Sequence, residues 1–270
     1  MIDITFDFRE DFQNFDDEKI DLDRDSPTLK KYHKILWSKP LPNGKIFNLR
    51  EDKAGAYLYH ESELGEFFLG SDSISHSYKK HKRKKCLTSQ IPEAVDQLYS
   101  AGCTIGAYII FPNKTINKKQ TINGARGCNG KIDDRFDLTL ECIRRFYLGL
   151  PSPLHDVFLR YQDFFGLFRD FRGYVDFFLL QDLVTENYAQ IKFYLPFDNF
   201  MSTPNFHCVN DYLIYQERVI DFINKRNSRI DKVYNMGEMR AQSTASVTHN
   251  TKSHTNHLKL VSKNNFYNFT

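Results

Sequence analysis

Nine residues in the middle of the chain, Cys103-Thr-Ile-Gly-Ala-Tyr-Ile-Ile-Phe111, restrict the possible folds more than any other stretch. The run is rich in β-branched and aromatic residues and almost unbrokenly apolar, which predicts a strand. A strand without a polar face must be covered on both sides, so other segments have to supply apolar layers around it. Gly106 within it predicts a bulge or a close backbone approach. The covering layers are found downstream. Phe136, Leu140, Ile143 and Tyr147 repeat at 4, 3 and 4, an amphipathic helix beginning near Asp133 or Asp134. Leu154, Val157, Phe158, Tyr161, Phe165 and Phe168 predict a second helix opened by Ser152-Pro153, and Tyr174 to Val184 a third after Gly173. Twelve of the 24 phenylalanines fall between residues 136 and 200, so these helices are expected to share one aromatic core.

The first 70 residues read largely as sheet. Ile2, Ile4, Phe6 and Phe8 alternate with polar residues, the period of a half-buried strand. Ser26-Pro27 is a helix opening, with Ser as cap and Pro in the first turn, and the helix should reach about Trp37. Asn43-Gly44 predicts a hairpin turn before a strand at 45–49. Short strands are expected at 56–60 and 66–69, and a helix at Pro92 to Ala101 ended by Gly102. Residues 191–195 read as a returning strand, and 209 to about 230 as the last helix. The expected class is α+β. A mixed sheet from the first half and the 191 region would carry the Phe-rich helical second half. Residues 1–230 are expected to form one compact domain, and 231–270, polar with few apolar anchors, a flexible tail. His249, His254 and His257 in that tail resemble metal-ligand spacing only superficially.

Hydrophobic residues at 41% and charged residues at 26% exclude general disorder. No run of about 18 apolar residues is present, which argues against a membrane-spanning helix. The opening Met-Ile-Asp-Ile-Thr-Phe-Asp-Phe has neither a basic leader nor an apolar signal core. The five cysteines are odd in number and contain no Cys-x-x-Cys pair, as expected of free thiols in a reducing cytoplasm. Charge is unevenly spread. Residues 1–25 hold ten Asp or Glu against three Lys or Arg. The run Lys79 to Lys85 holds six cations around His81 and is expected to be exposed. Lys82, Arg83, Lys84 and Lys85 are therefore candidate nucleic-acid contacts, because counterion release rewards clustered cations.

The candidate chemical site is Thr121 to Asp137, a polar glycine-bearing connection leaving a buried strand and entering a helix. Asn123 and Arg126 offer an amide and a guanidinium fork to a phosphate or carboxylate. Gly124, Gly127 and Gly130 match neither a P-loop nor the dinucleotide fingerprint. Asp133, Asp137 and Glu141 are spaced i, i+4, i+8 and could together hold a magnesium ion, with Arg126 and Arg135 beside them for phosphoryl chemistry. The same residues have a structural use, Asp133 as a helix cap and Asp137 and Glu141 as partners of Arg144 or Arg145. Glu51-Asp52-Lys53, with Asp25 at a distance, has a Glu-x-Lys form found in many nucleases. Tyr57 to His60 and Ser71-Asp-Ser-Ile-Ser-His76 place hydroxyls and imidazoles near strand ends, where a histidine can act as a general base. Arg169, Asp170, Arg172 and Asp176 read as a charged turn.

Ile122-Asn-Gly-Ala-Arg-Gly127, Asp134-Arg-Phe-Asp-Leu-Thr-Leu-Glu-Cys-Ile-Arg-Arg145 and Gly173-Tyr-Val-Asp-Phe-Phe-Leu-Leu-Gln-Asp-Leu183 resemble a bacterial family of unknown function. So do Trp37-Ser-Lys-Pro-Leu-Pro-Asn-Gly44 and Ser62-Glu-Leu-Gly-Glu-Phe-Phe68. The resemblance covers roughly residues 1–230 and implies a soluble intracellular bacterial protein with no established activity. It carries over no functional residues. From the residues themselves, the expectation is an enzyme or sensor for a phosphate-bearing substrate, RNA or a nucleotide. Arg126, Asp133 and Asp137 would be its catalytic groups, with Asn123 and Arg135 as ligand contacts. The other expectation is a non-catalytic module that docks a protein or nucleic acid.

Overall fold

Ser26 and Pro27 open a helix as the sequence predicts. In this computed structural model, residues 1–201 and 206–261 are described, with side chains to Asn235. A single turn, α1 (Leu22–Asp25), leads into α2 (Pro27–Trp37), where the Ser26 hydroxyl accepts the Leu29 amide. Helix α2 stops ahead of Pro40. Strands β1 (Lys39–Pro40) and β2 (Ile46–Phe47) then form the expected hairpin, with Gly44 at φ +81°, a conformation that favours glycine.

Strands β3 (Leu58–Ser62) and β4 (Gly65–Ser73) follow, then two helices, α3 (Lys85–Thr88) and α4 (Pro92–Ala101), and β5 (Tyr108–Pro112). The three strands form an antiparallel sheet in the order β3-β4-β5, with Leu58 opposite Leu69 and Gly70 opposite Phe111. Every residue of β5 is buried, as its apolar run demands. Its first half is not strand: Ile105–Ala107 form a 3₁₀ turn. Helix α5 (Ile122–Cys128) occupies what read as loop, capped by Thr121 accepting the Gly124 amide.

The aromatic helices are α6 (Phe136–Tyr147), α7 (His155–Arg160), α8 (Gln162–Gly166) and α9 (Phe171–Phe177), followed by α10 (Val209–Val261). Helix α6 begins two residues later than the periodicity suggests, because Asp133 and Asp134 adopt φ of +50° and +57°. The expected second helix is divided into α7 and α8 at Tyr161, and the third stops at Phe177. The shared aromatic core is present. Phe164, Phe165, Phe168, Tyr174 and Phe178 interlock at 4.8–5.9 Å, and Phe164 reaches Phe67 of the sheet at 6.0 Å.

Three further elements differ from the sequence reading. Residues 2–8 are not a strand: the Asp3 carboxylate takes the Thr5 amide and hydroxyl, and Asp7 caps a 3₁₀ turn at Phe8–Asp11. The alternation still sets burial, with Ile2 and Phe8 inside. Both small sheets are antiparallel throughout, and the 191 region joins neither, making a single bridge from Ile191 to Val184. Helix α10, expected to end near 230, runs to Val261, taking in most of the span read as tail, while residues 262–270 and the side chains of the three tail histidines lie outside the described residues. No helix of the described residues is long and apolar enough to cross a membrane.

Helix α10 binds the other layers through two buried polar residues. Asn227 accepts the Gly106 amide at 2.7 Å and donates to Thr104 at 3.0 Å. Arg226 donates to the carbonyls of Gly106, Tyr108 and Phe178, joining strand, turn and aromatic helices.

Candidate functional site

Successive residues of a strand point to opposite faces. At the end of β4, Ser71 therefore faces α1 and α2, whereas Asp72 faces α5. The Ser71 hydroxyl donates to Asp23 of α1 at 2.6 Å and lies 3.0 Å from His33 Nε2 of α2. His33 Nδ1 in turn accepts the Trp37 indole N–H at 3.0 Å. On the other face, Asp72 receives the Arg126 guanidinium at 2.6 Å.

Beyond Asp23 opens a cleft of about 410 Å³ between residues 15–24, 73–80 and 98–103. Phe15, Asp23, His76, Lys79, Lys80 and Tyr99 are among its walls. Burial pushes the Asp23 carboxyl up to about 7, and the charge of Asp72 adds to the rise, against the Ser71 hydroxyl and Arg126. Burial pushes the His76 imidazole below its usual value, against the nearby Asp134 carboxylate. Its Nδ1 is 3.8 Å from that carboxylate. Near neutral pH one wall thus holds a carboxyl that still retains part of its proton and a neutral imidazole, the two forms that proton transfer needs. The rim carries cations: Lys79 lies 3.1 Å from Asp96, 3.9 Å from Asp17 and 4.7 Å from the Tyr99 ring, and Lys80 lies 3.5 Å from Asp17.

The raised Asp23 value has a thermodynamic consequence. The folded protein keeps the proton to about pH 7, whereas the unfolded chain releases it near 3.8. Between those values folding takes up a proton, so this residue's contribution to stability falls as pH rises. Asp23→Asn is expected to raise the Tm at pH 8, by about 2–4 °C for each kcal/mol of penalty removed in a domain of this size, and to change it little at pH 4. Scanning calorimetry at the two pH values checks this; equal shifts would remove the titration from Asp23.

The residues singled out in the sequence occupy a different place. None of the candidates between Asn123 and Glu141 lines this cleft. Arg126 is 1% exposed and bonded to Asp72, Ser73, Asp134 and Thr139. Arg135 and Asp137 form their own buried pair at 2.5 Å, and Asp137 also accepts the Tyr194 amide. Asp133 precedes α6 rather than sharing its face, and pairs with Lys84 at 2.9 Å. Asn123 is exposed on α5. Glu141 pairs with Arg144 and Arg145, the structural use foreseen for it. The three carboxylates Asp133, Asp137 and Glu141 thus go to separate partners instead of to one triad. Among the described residues no group of three His, Cys, Asp or Glu is placed to hold a metal ion.

The basic run is also altered by its partners. Lys82, Arg83 and Lys85 are exposed, but Lys84, expected at the surface, is buried because Asp133 receives it. Sequence reasoning missed Asp23, Lys79, Lys80 and Tyr99 as wall residues. Only the Ser71 to His76 segment was marked, by its alternating hydroxyls.

Residues 2–230 match the model of a family described as of unknown function (DUF6994). No curated protein and no solved structure matches the chain.

Proposed function

We propose, for a chain that belongs to the DUF6994 family of unknown function, an enzyme or sensor that takes a phosphate-bearing ligand of mononucleotide size in the cleft beside Asp23. The observation that carries this reading is the composition of that one cavity. It combines a carboxyl that titrates near neutrality, a neutral imidazole, the rings of Phe15 and Tyr99, and the cations Lys79 and Lys80. Rings suit a base face, lysines suit a phosphate, and the carboxyl and imidazole suit proton transfer to and from the ligand. The volume of about 410 Å³ lies in the range of small-molecule sites. A nucleotide is favoured over RNA because the cleft has the size of a small-molecule site and Lys84 of the basic run is buried against Asp133.

A cytoplasmic setting belongs to the same proposal. Cys86, Cys128 and Cys208 are exposed free thiols, which suits a reducing compartment. Residues 1–230 as one domain fit as well, since a single cluster of buried residues joins Ile2 to Ile230.

Calorimetric titration with AMP, ADP, ATP and inorganic phosphate tests the reading. Saturable binding of a mononucleotide is expected, weakened at least tenfold by Lys79→Ala with Lys80→Ala, at an unchanged Tm. Absence of saturable binding, or affinity indifferent to those lysines, overturns it. The exposed Lys82, Arg83 and Lys85 favour a second reading, a nucleic-acid contact. Replacing all three by Ala should then weaken single-stranded RNA binding and flatten its salt dependence.

A further inference from the structure

We propose that Trp37, His33 and Ser71 form a hydrogen-bond string of fixed direction that assigns the two oxygens of Asp23 different tasks, Oδ1 to accept and Oδ2 to carry the proton offered to the cleft. The use of that proton rests on the ligand-binding reading above; the string itself does not.

The direction follows from what each group is able to do. An indole N–H donates and never accepts. Its contact at 3.0 Å therefore requires a lone pair on His33 Nδ1. His33 is fully buried, and burial holds its imidazole neutral, down to about 3, aided by the charge of Arg226. A neutral ring with a bare Nδ1 carries its hydrogen on Nε2, so the 3.0 Å contact to Ser71 runs from histidine to hydroxyl oxygen. Ser71 then has one hydrogen, and Asp23 Oδ1 receives it at 2.6 Å. While the Ser71 hydroxyl donates to Oδ1 and leaves its neighbour Tyr57 unserved, a proton on Oδ1 would meet that hydrogen head-on, which places the acid proton of Asp23 on Oδ2.

No member of the string is a free rotor. His33 and Trp37 lie one helical turn apart on α2, and Ser71 is held in register opposite Ile110 of β5. Trp37 is clamped by Phe177 and Phe178 at 6.0 and 5.1 Å. The charges that reach Asp23 come from Asp21 on its own segment, Asp72 on β4 and Arg126 on α5, with Tyr57 and Tyr108 as neutral neighbours. None of these donates to its carboxylate, so Ser71 alone distinguishes the two oxygens. Trp37, His33 and Ser71 are positioning residues.

The test reads Asp23 and His33 directly by NMR on the full chain, without a ligand. The ¹⁵N spectrum should show His33 as a single neutral tautomer, protonated at Nε2, from pH 5 to 8. The ¹³C carboxyl signal of Asp23 should titrate near 7. Ser71→Ala removes the donor that favours the ionised carboxylate and should raise that midpoint by about one pH unit. Ser71→Thr should restore it, which a merely space-filling serine would not require. Trp37→Phe should release the tautomer lock and bring signal from both ring nitrogens.

A wild-type His33 protonated at Nδ1, or an Asp23 midpoint unmoved by Ser71→Ala, overturns the proposal. These outcomes are independent of the nucleotide titration. Its failure alongside the expected spectra would remove the proposed ligand and leave the string standing.

Discussion

Arg126→Met is expected to cost about 3–5 kcal/mol of folding stability, rather than to weaken a ligand. Four guanidinium hydrogens are committed to hydrogen bonds, and an ion pair adds a fifth contact. Nε donates to Thr139 at 3.3 Å, Nη1 to Asp72 at 2.6 Å and to the Ser73 carbonyl at 2.9 Å. Nη2 reaches the Asp134 carbonyl at 3.3 Å and its carboxylate at 3.3 Å. Removal of the cation strands Asp72, which burial already pushes up to about 6 with only Arg126 as a strong counterweight. Against a domain stability of about 5–15 kcal/mol that cost is a large share. Urea unfolding followed by circular dichroism measures the loss. Adding Asp72→Asn to the Met variant should recover part of it, because the second change removes the stranded charge. A folded, fully stable Arg126→Met variant that had lost ligand binding would return this arginine to the role the sequence suggested.

Gly106→Ala is expected to destabilise by about 3 kcal/mol or more. A methyl group there would lie 2.6 Å from the Asn227 side-chain oxygen and 2.6 Å from the Ile223 carbonyl of α10. The asparagine could swing away only by giving up its bond to the Gly106 amide, and the helix carbonyl cannot move alone. The turn and α10 must therefore separate, loosening the Arg226 bonds to the carbonyls of Gly106 and Tyr108. Gly127→Ala, on α5 with open space around it, is the control and should be neutral or slightly stabilising. Equal midpoints for the two variants in thermal unfolding would refute the close approach.

The elements with purely local causes were legible in the residues. Ser26-Pro27, Asn43-Gly44 and Pro92 to Gly102 carry their own caps and turns, and each appears where expected. Gly106 announced a close approach without naming its partner, α10. Long-range causes were not legible. Residues 2–8 have the period of a strand, but local Asp3 and Asp7 bonds claim their backbone, and only the burial alternation survives. The 191 segment is apolar enough for a strand and finds only Val184 across from it. Among the site residues, Arg126, Asp133, Arg135 and Asp137 were recognised as chemically capable. Their partners Asp72, Lys84 and Asp134 had to be known before it was clear that they serve one another. Asp23 was invisible for the opposite reason, being one carboxylate among ten in an acidic segment until folding placed it against Ser71.

The carboxylate of Asp17 already sits opposite both Lys79 and Lys80. Any anionic occupant arriving at those lysines is thus a rival to a resident anion and not a newcomer to bare charge. Its measured affinity is an exchange constant, smaller than the lysines alone would give. Added electrolyte screens the incumbent as well as the challenger, so occupancy should decline with ionic strength less steeply than two unopposed cations would dictate.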